Sequence, residues 1–329
     1  MAAAGRRRHA PCGSESLGVL SGEVPRADSR RLGAMLLATV VLAWGLTWPV
    51  NKVILATVPP VWAVALRTAI GAVLLVVLAA AQRRLALPPR GDLPVLVSIT
   101  VLHMIGFGVL SSVGLQTVPT GRSVVLAYTT PLWVAPGAAL FLGERLSARR
   151  VVGVVVGLGG LVVLFNPLAF DWSQRAAVLG NLAILAAALL WAGSILHIRG
   201  HRWRSTPFDL LPWETLLATV ILVPTAYALA GPPAFRLDAP LIGMLLYAGG
   251  PGTALAYWAV AMASRQLPAL TTSLGLLATP VVSIVVAALW LQELPGADVL
   301  GAMGLILSGI AIGTTGDASD VSSAERLRA

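Results

Sequence analysis

Residues 123–144 read SVVLAYTTPLWVAPGAALFLGE, and residues 272–293, which lie 149 positions further along the chain, read TSLGLLATPVVSIVVAALWLQE. The two stretches share a Thr-Pro pair, an Ala-Ala-Leu run and a closing glutamate at matching positions. Neither carries a charged residue before that glutamate. An uncharged apolar stretch of about twenty residues is long enough to cross a bilayer as a helix. The pair therefore indicates a membrane helix that occurs once in each half of the chain.

The composition of the whole chain agrees with a membrane protein. Hydrophobic residues make up 57% and charged residues 11% of the sequence, and the mean hydropathy is +0.84. A water-soluble domain of 329 residues could not hide that much apolar surface. The net charge of +9 comes from short arginine clusters beside apolar stretches, so we expect the lipid bilayer and no nucleic acid as its partner.

Apolar segments of about one bilayer crossing, separated by Pro, Gly and Arg clusters, predict an all-α polytopic membrane protein of about ten transmembrane helices. The predicted spans lie near residues 34–54, 61–81, 95–116, 122–142, 150–166, 177–197, 208–230, 240–262, 269–291 and 298–315. Residues 1–31 and 317–329 are predicted to be cytoplasmic tails, flanking a first half at 32–167 and a second half at 175–316.

The arginines predict the orientation of these spans. With the N-terminus in the cytoplasm, eighteen arginines fall on the cytoplasmic side, and only Arg122, Arg175 and Arg236 fall outside. Cytoplasmic loops of membrane proteins carry the excess of Lys and Arg. We therefore expect a multi-pass protein of the cytoplasmic (plasma) membrane with both termini in the cytoplasm.

A second internal match joins the first and sixth spans. A shift of 147 residues sets Trp44 on Trp191 and Arg67 on Glu214. Two halves of five helices each explain both shifts. Because five is odd, the second half must enter the membrane from the opposite side, which gives the inverted repeats that many secondary transporters use for alternating access.

Several short motifs resemble the EamA-type family of the drug/metabolite transporter superfamily. They recur in order in both halves, and they are Trp44-Gly45-x-x-Trp48-x-x-x-Lys52, Ala65-Leu66-Arg67, Pro131, Leu142-Gly143-Glu144-Arg145-Leu146, Gly153, Gly157 and Gly160, then Trp191, Pro280, Gln292-Glu293-Leu294, Gly301, Gly304 and Gly309. The resemblance implies ten helices around a central cavity and the export or exchange of metabolites, amino acids or drugs. The sequence departs from symmetry where Glu214 replaces Arg67 and Gln292 replaces Gly143.

Two cations lie within the predicted spans. Lys52 is near the outer end of the first span, and Arg67 is about six residues into the second span from that same side. Charges at this depth face a cavity or a partner. One reading is that they attract a substrate carboxylate or phosphate. The other is that Lys52 reaches the headgroups and Arg67 bonds carbonyls at helix ends.

Glu214 and His103 are the candidate proton-coupling residues. Glu214 lies about six residues into the seventh span, where it either carries a proton or pairs with Arg199, Arg202 or Arg204. His103, in the middle of the third span, either shuttles a proton or hydrogen-bonds a neighbouring helix. We include His103 among the candidate substrate-binding residues as well.

The remaining candidate residues for a substrate pocket are aromatic side chains inside spans and one glycine-rich segment. Aromatic side chains at that depth build amphipathic pockets or simply pack. Gly249-Gly250-Pro251-Gly252 is expected to break the eighth span and expose backbone carbonyls to a cavity. Together with Lys52, Arg67 and His103, the expected binding residues are Trp44, Trp48, Tyr128, Trp191, Gly250 and Tyr257.

Other polar residues are expected to have structural roles. Glu144 and Glu293 end equivalent helices and are expected to pair locally. His197 and His201 have the spacing of a metal pair but no acid or cysteine near them in sequence, so we expect neither a metal nor a cofactor. The conspicuous glycines of the fifth and tenth spans are expected to let helices pack closely.

The predicted function is that of a secondary transporter, an exporter or exchanger of a small metabolite, amino acid or drug-like solute by alternating access, with protons as a possible coupling ion. Two alternatives stay open at this point. A polytopic membrane enzyme acting on lipid-linked substrates would need clustered acids or histidines, and the acids are scattered. A channel-like facilitator is disfavoured by the inverted repeat. The sequence does not indicate the solute, the transport direction or the oligomeric state.

Overall fold

The computed structural model describes the backbone of residues 27–165 and 172–326, and the side chains of residues 31–165, 172–268 and 271–314. Most of the predicted N-terminal tail, with Cys12, lies outside the described residues, as does the end of the C-terminal tail. The described part of the chain is helical and contains no strand. The predicted all-α fold is confirmed.

The first half contains seven α-helices. Their bounds are α1 (Ala27–Ile54), α2 (Pro60–Ala81), α3 (Leu93–Ser98), α4 (Gly108–Thr117), α5 (Thr120–Ala127), α6 (Thr130–Leu142) and α7 (Ala148–Leu164). A 3-10 turn at Arg90–Asp92 precedes α3, and a π-helical segment at Ile99–Phe107 joins α3 to α4. The third span is therefore one continuous rod of three helical types.

The second half repeats that order of elements without the 3-10 turn. Its helices are α8 (Arg175–Gly200), α9 (Pro207–Ala230), α10 (Ala239–Gly249), α11 (Ala256–Gln266), α12 (Ala269–Leu276), α13 (Ala278–Trp290) and α14 (Ala297–Arg326). A π-helical segment at Gly250–Leu255 joins α10 to α11. In both halves the third span holds a π-helical segment and the fourth span is split into two helices.

Nine helical spans in the described residues are long and apolar enough to cross a membrane. The remaining helix, α7, has 17 residues, about 26 Å of rise, which is at the short end of the crossing range. Each half therefore contributes five helical rods, as predicted. Because five is odd, the two halves have opposite orientations in the bilayer.

Local sequence signals explain where these helices begin and end. Ser147 and Asp238 accept hydrogen bonds from backbone N–H groups in the first turns of α7 and α10, and Thr206 forms a capping box with Asp209 at the start of α9. Gly143 ends α6 with a φ of 67°, a conformation that glycine adopts without steric cost. The connectors that carry these caps are short, so little of the chain between Arg31 and Thr314, as far as the structure describes it, lies outside the helical spans.

Contacts between loops group the helix ends into two sides. The Arg-rich side is the one where α1 begins, and Asp92 there accepts a 2.9 Å hydrogen bond from the His201 ring. The Arg-poor side is the one where α1 ends, and Trp62 there donates a 3.1 Å hydrogen bond to the carbonyl of Gly231. Both contacts join the first half to the second, so the halves are held together at each end.

The predicted glycine contacts are partly correct. α7 packs closely on α14, and an added Cβ atom at Gly153 or Gly309 would collide with backbone atoms of the other helix. Gly160 likewise faces the backbone of α14 at Ala302. Gly301 and Gly304 have open space beside them, so the prediction is wrong for those two.

The predicted break in the eighth span is also corrected. Gly249 ends α10, but the helix continues through the π-helical segment Gly250–Leu255 without interruption. An added Cβ atom at Gly249 would collide with Ile70, and Gly250 is buried beside Leu74. These glycines allow α10 to approach α2 closely rather than opening the helix.

Candidate functional site

A cavity of about 390 Å³ lies between the two halves. Side chains from both halves line it, including eight of the ten residues that the sequence singled out. Those eight are Trp44, Trp48, Arg67, His103, Tyr128, Trp191, Glu214 and Tyr257. Its volume is within the range typical of small-molecule sites.

An uninterrupted series of ring contacts crosses this cavity. Trp44 of α1 meets Tyr257 of α11 edge to face, with ring centroids 5.8 Å apart. Tyr257 meets His103 edge to face at 6.0 Å, and His103 stacks on Trp191 of α8 at 5.2 Å with the ring planes 6° apart. The two repeat-related tryptophans, Trp44 and Trp191, therefore lie at opposite ends of one series of aromatic contacts and are linked through Tyr257 and His103.

The π-helical segments hold the middle of that chain. His103 lies within the segment Ile99–Phe107, and Tyr257 follows the segment Gly250–Leu255 by two residues. The Tyr257 hydroxyl and His103 Nε2 are 3.3 Å apart, within hydrogen-bond distance. A π-helical turn changes the direction in which neighbouring side chains point and is frequent at functional sites. Of the two readings of His103, a hydrogen bond to a neighbouring helix is confirmed.

Arg67 contributes the cavity's cation. Its guanidinium has no hydrogen bond or ion pair to another side chain or carbonyl in the described part of the chain. The absence of a side chain at Gly108 leaves space for the Arg67 guanidinium, because an added Cβ atom there would lie 3.2 Å from one of its terminal nitrogens. His103 and Tyr257 are within electrostatic range of Arg67. The expected bonds from Arg67 to helix-end carbonyls are absent among the described residues.

Glu214 contributes the cavity's acid. The residue is 2% exposed, and its side-chain oxygens have no hydrogen-bond or ion-pair partner among the described residues. The alternative that Glu214 pairs with Arg199 is wrong, because Arg199 donates to both carboxylate oxygens of Glu144, at 2.7 and 2.8 Å. Tyr257 lies within electrostatic range of Glu214 as well as of Arg67. One basic and one acidic side chain, neither with a protein partner among the described residues, therefore line the same cavity.

Lys52 and Gly250 do not line the cavity. Lys52 Nζ donates hydrogen bonds to the carbonyls of Leu115 at 2.7 Å and Val118 at 2.9 Å, at the C-terminal end of α4. That geometry is a bond to helix-end carbonyls, which sequence reasoning had assigned to Arg67. Gly250 packs toward α2, and Gly252 is the glycine of this segment that reaches the cavity.

Sequence reasoning missed several lining residues. Thr47 and Asn51 line the cavity with Trp44 and Trp48, at the spacing of one helix face, so the helical period could have found them. Trp203 also lines the cavity, from the loop before α9. No periodic signal marks a residue in an irregular segment.

The cavity reaches the surface on the Arg-rich side. Its lining includes Trp203 and the exposed Pro207 on that side. Toward the Arg-poor side, Leu115 closes the cavity and is 2% exposed, and Ile54 and Val118 beyond it are each 1% exposed. The structure therefore has a cavity that is open at one end and sealed at the other.

The other predicted polar sites have structural partners. Glu144 pairs with Arg150 at 3.3 Å in addition to Arg199, so local pairing is confirmed, with a second arginine that is distant in sequence. The expectation of local pairing is wrong for Glu293, because its Oε2 accepts a hydrogen bond from the Thr120 N–H, 173 residues away in sequence. His201 does have an acid beside it, since Asp92 lies 2.9 Å away, which the sequence spacing did not show. No group of three metal-ligating side chains occurs among the described residues.

Comparisons with known proteins agree with the architecture. A model of the EamA-like transporter family matches residues 31–166 and again residues 178–315. A crystal structure that is 24% identical has the same fold, with a TM-score of 0.61 over 88% of this chain and 97% of the other.

Relatives identified by sequence are named as transporters. The chain is 27% identical to the uncharacterized transporter YoaV of Bacillus subtilis, covering 84% of this chain and 94% of that protein. It is 28% identical to a probable amino-acid metabolite efflux pump of Escherichia coli, covering 88% and 96%. A riboflavin transporter of Vibrio cholerae is 30% identical over 44% of this chain and 46% of its own.

These findings exclude the membrane-enzyme alternative, because the relatives are named transporters and efflux pumps. The two matched segments coincide with the two five-span halves, and the cavity lies between them. The chain is therefore a multi-pass membrane transporter of small solutes, and it belongs to the EamA-like transporter family.

Proposed function

We propose that this protein exports or exchanges small zwitterionic, amino-acid-like solutes with an apolar or aromatic side chain. The observation that carries the proposal is the pair of ionisable side chains, one basic and one acidic, in the cavity. Arg67 and Glu214 both line it, and neither has a protein partner in the described part of the chain. A buried charge without a partner is costly, so a bound solute with the complementary charges would stabilise the site.

Each end of a zwitterion has a suitable group in the cavity. An arginine guanidinium binds a carboxylate through two parallel hydrogen bonds, and this favours Arg67 as the carboxylate-binding residue. Glu214 is suited to an ammonium group, which the electron-rich face of Tyr257 or a tryptophan would also attract. The side chain of the solute would then lie against the aromatic chain from Trp44 to Trp191.

The identity of the relatives adds support at a coarser level. The E. coli relative that aligns over nearly the whole of both chains is named as a probable amino-acid metabolite efflux pump. The riboflavin transporter aligns over less than half of this chain. A planar neutral heterocycle would fit the aromatic residues but would leave both charges without partners.

The arginine distribution supports an inward-open orientation. If the Arg-rich side is cytoplasmic, both termini are cytoplasmic and the cavity opens to the cytoplasm. That is the conformation in which an exporter loads its solute. The sealed Arg-poor side must open, and the Arg-rich side close, for the solute to leave.

Glu214 is our proposed coupling site for protons. A proton and a substrate ammonium would compete for the same carboxylate, so the release of one favours the binding of the other. Competition of this kind couples the inward movement of protons to the outward movement of substrate. His103 is second in line, because its ring is already engaged by Tyr257 and Trp191.

The proposal is tested by counterflow in proteoliposomes with three matched competitors: an aromatic amino acid, its decarboxylated amine and its N-acetylated acid. We expect the zwitterion to compete at least about tenfold better than either single-charge analogue, because each analogue leaves one buried charge unpaired. Equal competition by all three, or preference for a neutral heterocycle, would contradict the proposal. Flux that never saturates would favour a channel-like facilitator instead.

A further inference from the structure

Two charged side chains hold the turn between α4 and α5 on the Arg-poor side. Lys52 donates to the last carbonyls of α4, at Leu115 and Val118, and Glu293 accepts from the Thr120 N–H at the start of α5. Lys52 and Glu293 also lie within electrostatic range of each other. A cation at a helix C-terminus and an anion at a helix N-terminus each satisfy orphan backbone groups. We call this arrangement the clasp.

The residues equivalent to Lys52 and Glu293 in the other half lie on the Arg-rich side, where they make different contacts. The shift of 147 residues sets Lys52 on Arg199, and the shift of 149 sets Glu293 on Glu144. There, Arg199 does not bind the turn before α12. It binds Glu144 directly, through two hydrogen bonds of 2.7 and 2.8 Å. The Arg-poor side is therefore closed and has the clasp. The Arg-rich side is open and has an ion pair between the equivalent residues instead.

A second cavity lies on the Arg-rich side, where the repeat would place α12. On the closed, Arg-poor side, Gly121 of α5 packs against Ile284 and Val299. Their repeat equivalents, Ala135 and Arg150, line a cavity of about 220 Å³ between α6, α7, α8 and α14. The neighbours of α12 in this structure are α1, α11, α13 and α14, and α12 is not packed closely on α6 or α7.

The sequence at these positions has complementary sizes. The residue of α12 that corresponds to Gly121 is Leu270, and Ala135 corresponds to Ile284. On the Arg-poor side a small residue, Gly121, faces a large one, Ile284, and the sequence reverses these sizes at the repeat-related positions 270 and 135. The repeat relationship and this reversal of residue sizes both relate the second cavity to α12.

We propose that the two ends exchange these arrangements during transport, a step that rests on the proposed alternating access. α12 enters the second cavity, Arg199 leaves Glu144 for the carbonyls of Ser264 and Leu267, and Glu144 accepts from the Ala269 N–H. At the other end Lys52 and Glu293 leave the turn and pair with each other. Each state keeps one clasp and one ion pair, so the two states have similar energies, as a transporter requires.

Thiol accessibility tests the exchange without any knowledge of the substrate. The chain has one cysteine, so Cys12→Ser gives a background in which Ala135→Cys and Ile284→Cys can be labelled separately. A membrane-permeant maleimide reacts with whichever cysteine is not covered by its helix. In this structure position 135 lines the open second cavity and position 284 is buried under α5.

Variants of the two glutamates should move the two labelling rates in opposite directions. Glu293→Ala removes a part-buried hydrogen bond from this state and only an ion pair from the other state, and the equivalent pair, Arg199–Glu144, is more exposed. The variant therefore weakens this state more, and we expect labelling at 284 to rise and labelling at 135 to fall, each by about fivefold. Glu144→Ala should do the reverse, and the glutamine variants should be intermediate, because a neutral acceptor bonds more weakly than a carboxylate. Arg236→Gln is the control, because Arg236 is exposed and belongs neither to the clasp nor to the Arg199–Glu144 pair. This variant should leave both labelling rates unchanged.

The two labelling rates must be anticorrelated across these variants in protein that remains monodisperse. Rates that change together, or do not change, would overturn the exchange. Labelling at 135 that depends on the surrounding lipid and not on Glu293 would show that the second cavity holds a lipid chain, and would overturn the docking of α12. Failure of the zwitterion competition would leave this readout unaffected, so the two proposals can fail separately.

Discussion

Arg67 and Glu214 line one cavity, and these two described residues form no ion pair with each other. They occupy equivalent positions of the two halves, 147 residues apart, so the inverted repeat places a basic and an acidic side chain at matched positions. Because neither side chain has a protein partner among the described residues, both remain available to a ligand. This relationship is the main structural reason to propose a zwitterionic solute.

The two repeat-related tryptophans give the first prediction. Trp44→Ala or Trp191→Ala removes one end of the aromatic chain and should weaken apparent substrate affinity about tenfold, with protein abundance unchanged. Competition binding by the purified variants measures the effect. Trp290→Ala, at a residue that is 48% exposed outside the cavity, is the matched control. Wild-type affinity in both cavity variants would place the site elsewhere.

The second prediction concerns coupling. Glu214→Gln removes the only unpaired acid of the cavity among the described residues, and it should abolish accumulation driven by a proton gradient. Exchange of substrate for substrate should persist at saturating concentration, because exchange needs no proton. Parallel assays with and without an imposed pH gradient separate the two activities. Equal loss of both would indicate a structural role, and an unchanged proton dependence would make His103 the next candidate.

Orientation gives the third prediction. Reporters fused after Gly91, Arg150 and His201 should report the cytoplasm, and those after Pro59, Trp172 and Phe235 should report the outside. The eighteen-to-three arginine distribution is the physical reason. Two or more reversed sites would contradict both the orientation and the inward-open assignment of the cavity.

The contact between α7 and α14 gives a prediction about stability. Gly153→Leu places a side chain against the Gly309 backbone, which cannot move aside as a flexible side chain would. We expect the apparent melting temperature of the purified protein to fall by several degrees, since overpacking costs about 1–3 kcal/mol. Gly301→Ala, where there is open space, should have the melting temperature of the wild type.

Much of the fold was predictable because membranes restrict the possible structures. Hydrophobic length, arginine clusters and the two repeat shifts were enough to predict five helical rods in each half. Side chains such as Arg67 and Glu214 were conspicuous because charged residues inside spans are rare. The helical period on α1 could also have identified Thr47 and Asn51.

The rest depends on contacts between distant segments. The partner of Lys52 is the end of α4, 63 residues away in sequence, and no local pattern indicates that bond. Asp92 and His201 are 109 residues apart, which is why the acid beside this histidine was missed. The π-helical segment Ile99–Phe107, too, has the composition of an ordinary apolar span, so the sequence does not indicate it.

Charge-selective competition in the Arg67 and Glu214 variants tests the central claim most directly. In counterflow with the zwitterion, amine and N-acetylated acid, Arg67→Gln should lose at least about tenfold in affinity for the zwitterion and the acid while keeping its affinity for the amine. Glu214→Gln should lose affinity for the zwitterion and the amine while keeping that for the acid. If both variants weaken all three compounds equally, or neither variant discriminates among them, Arg67 and Glu214 do not bind the two ends of the solute.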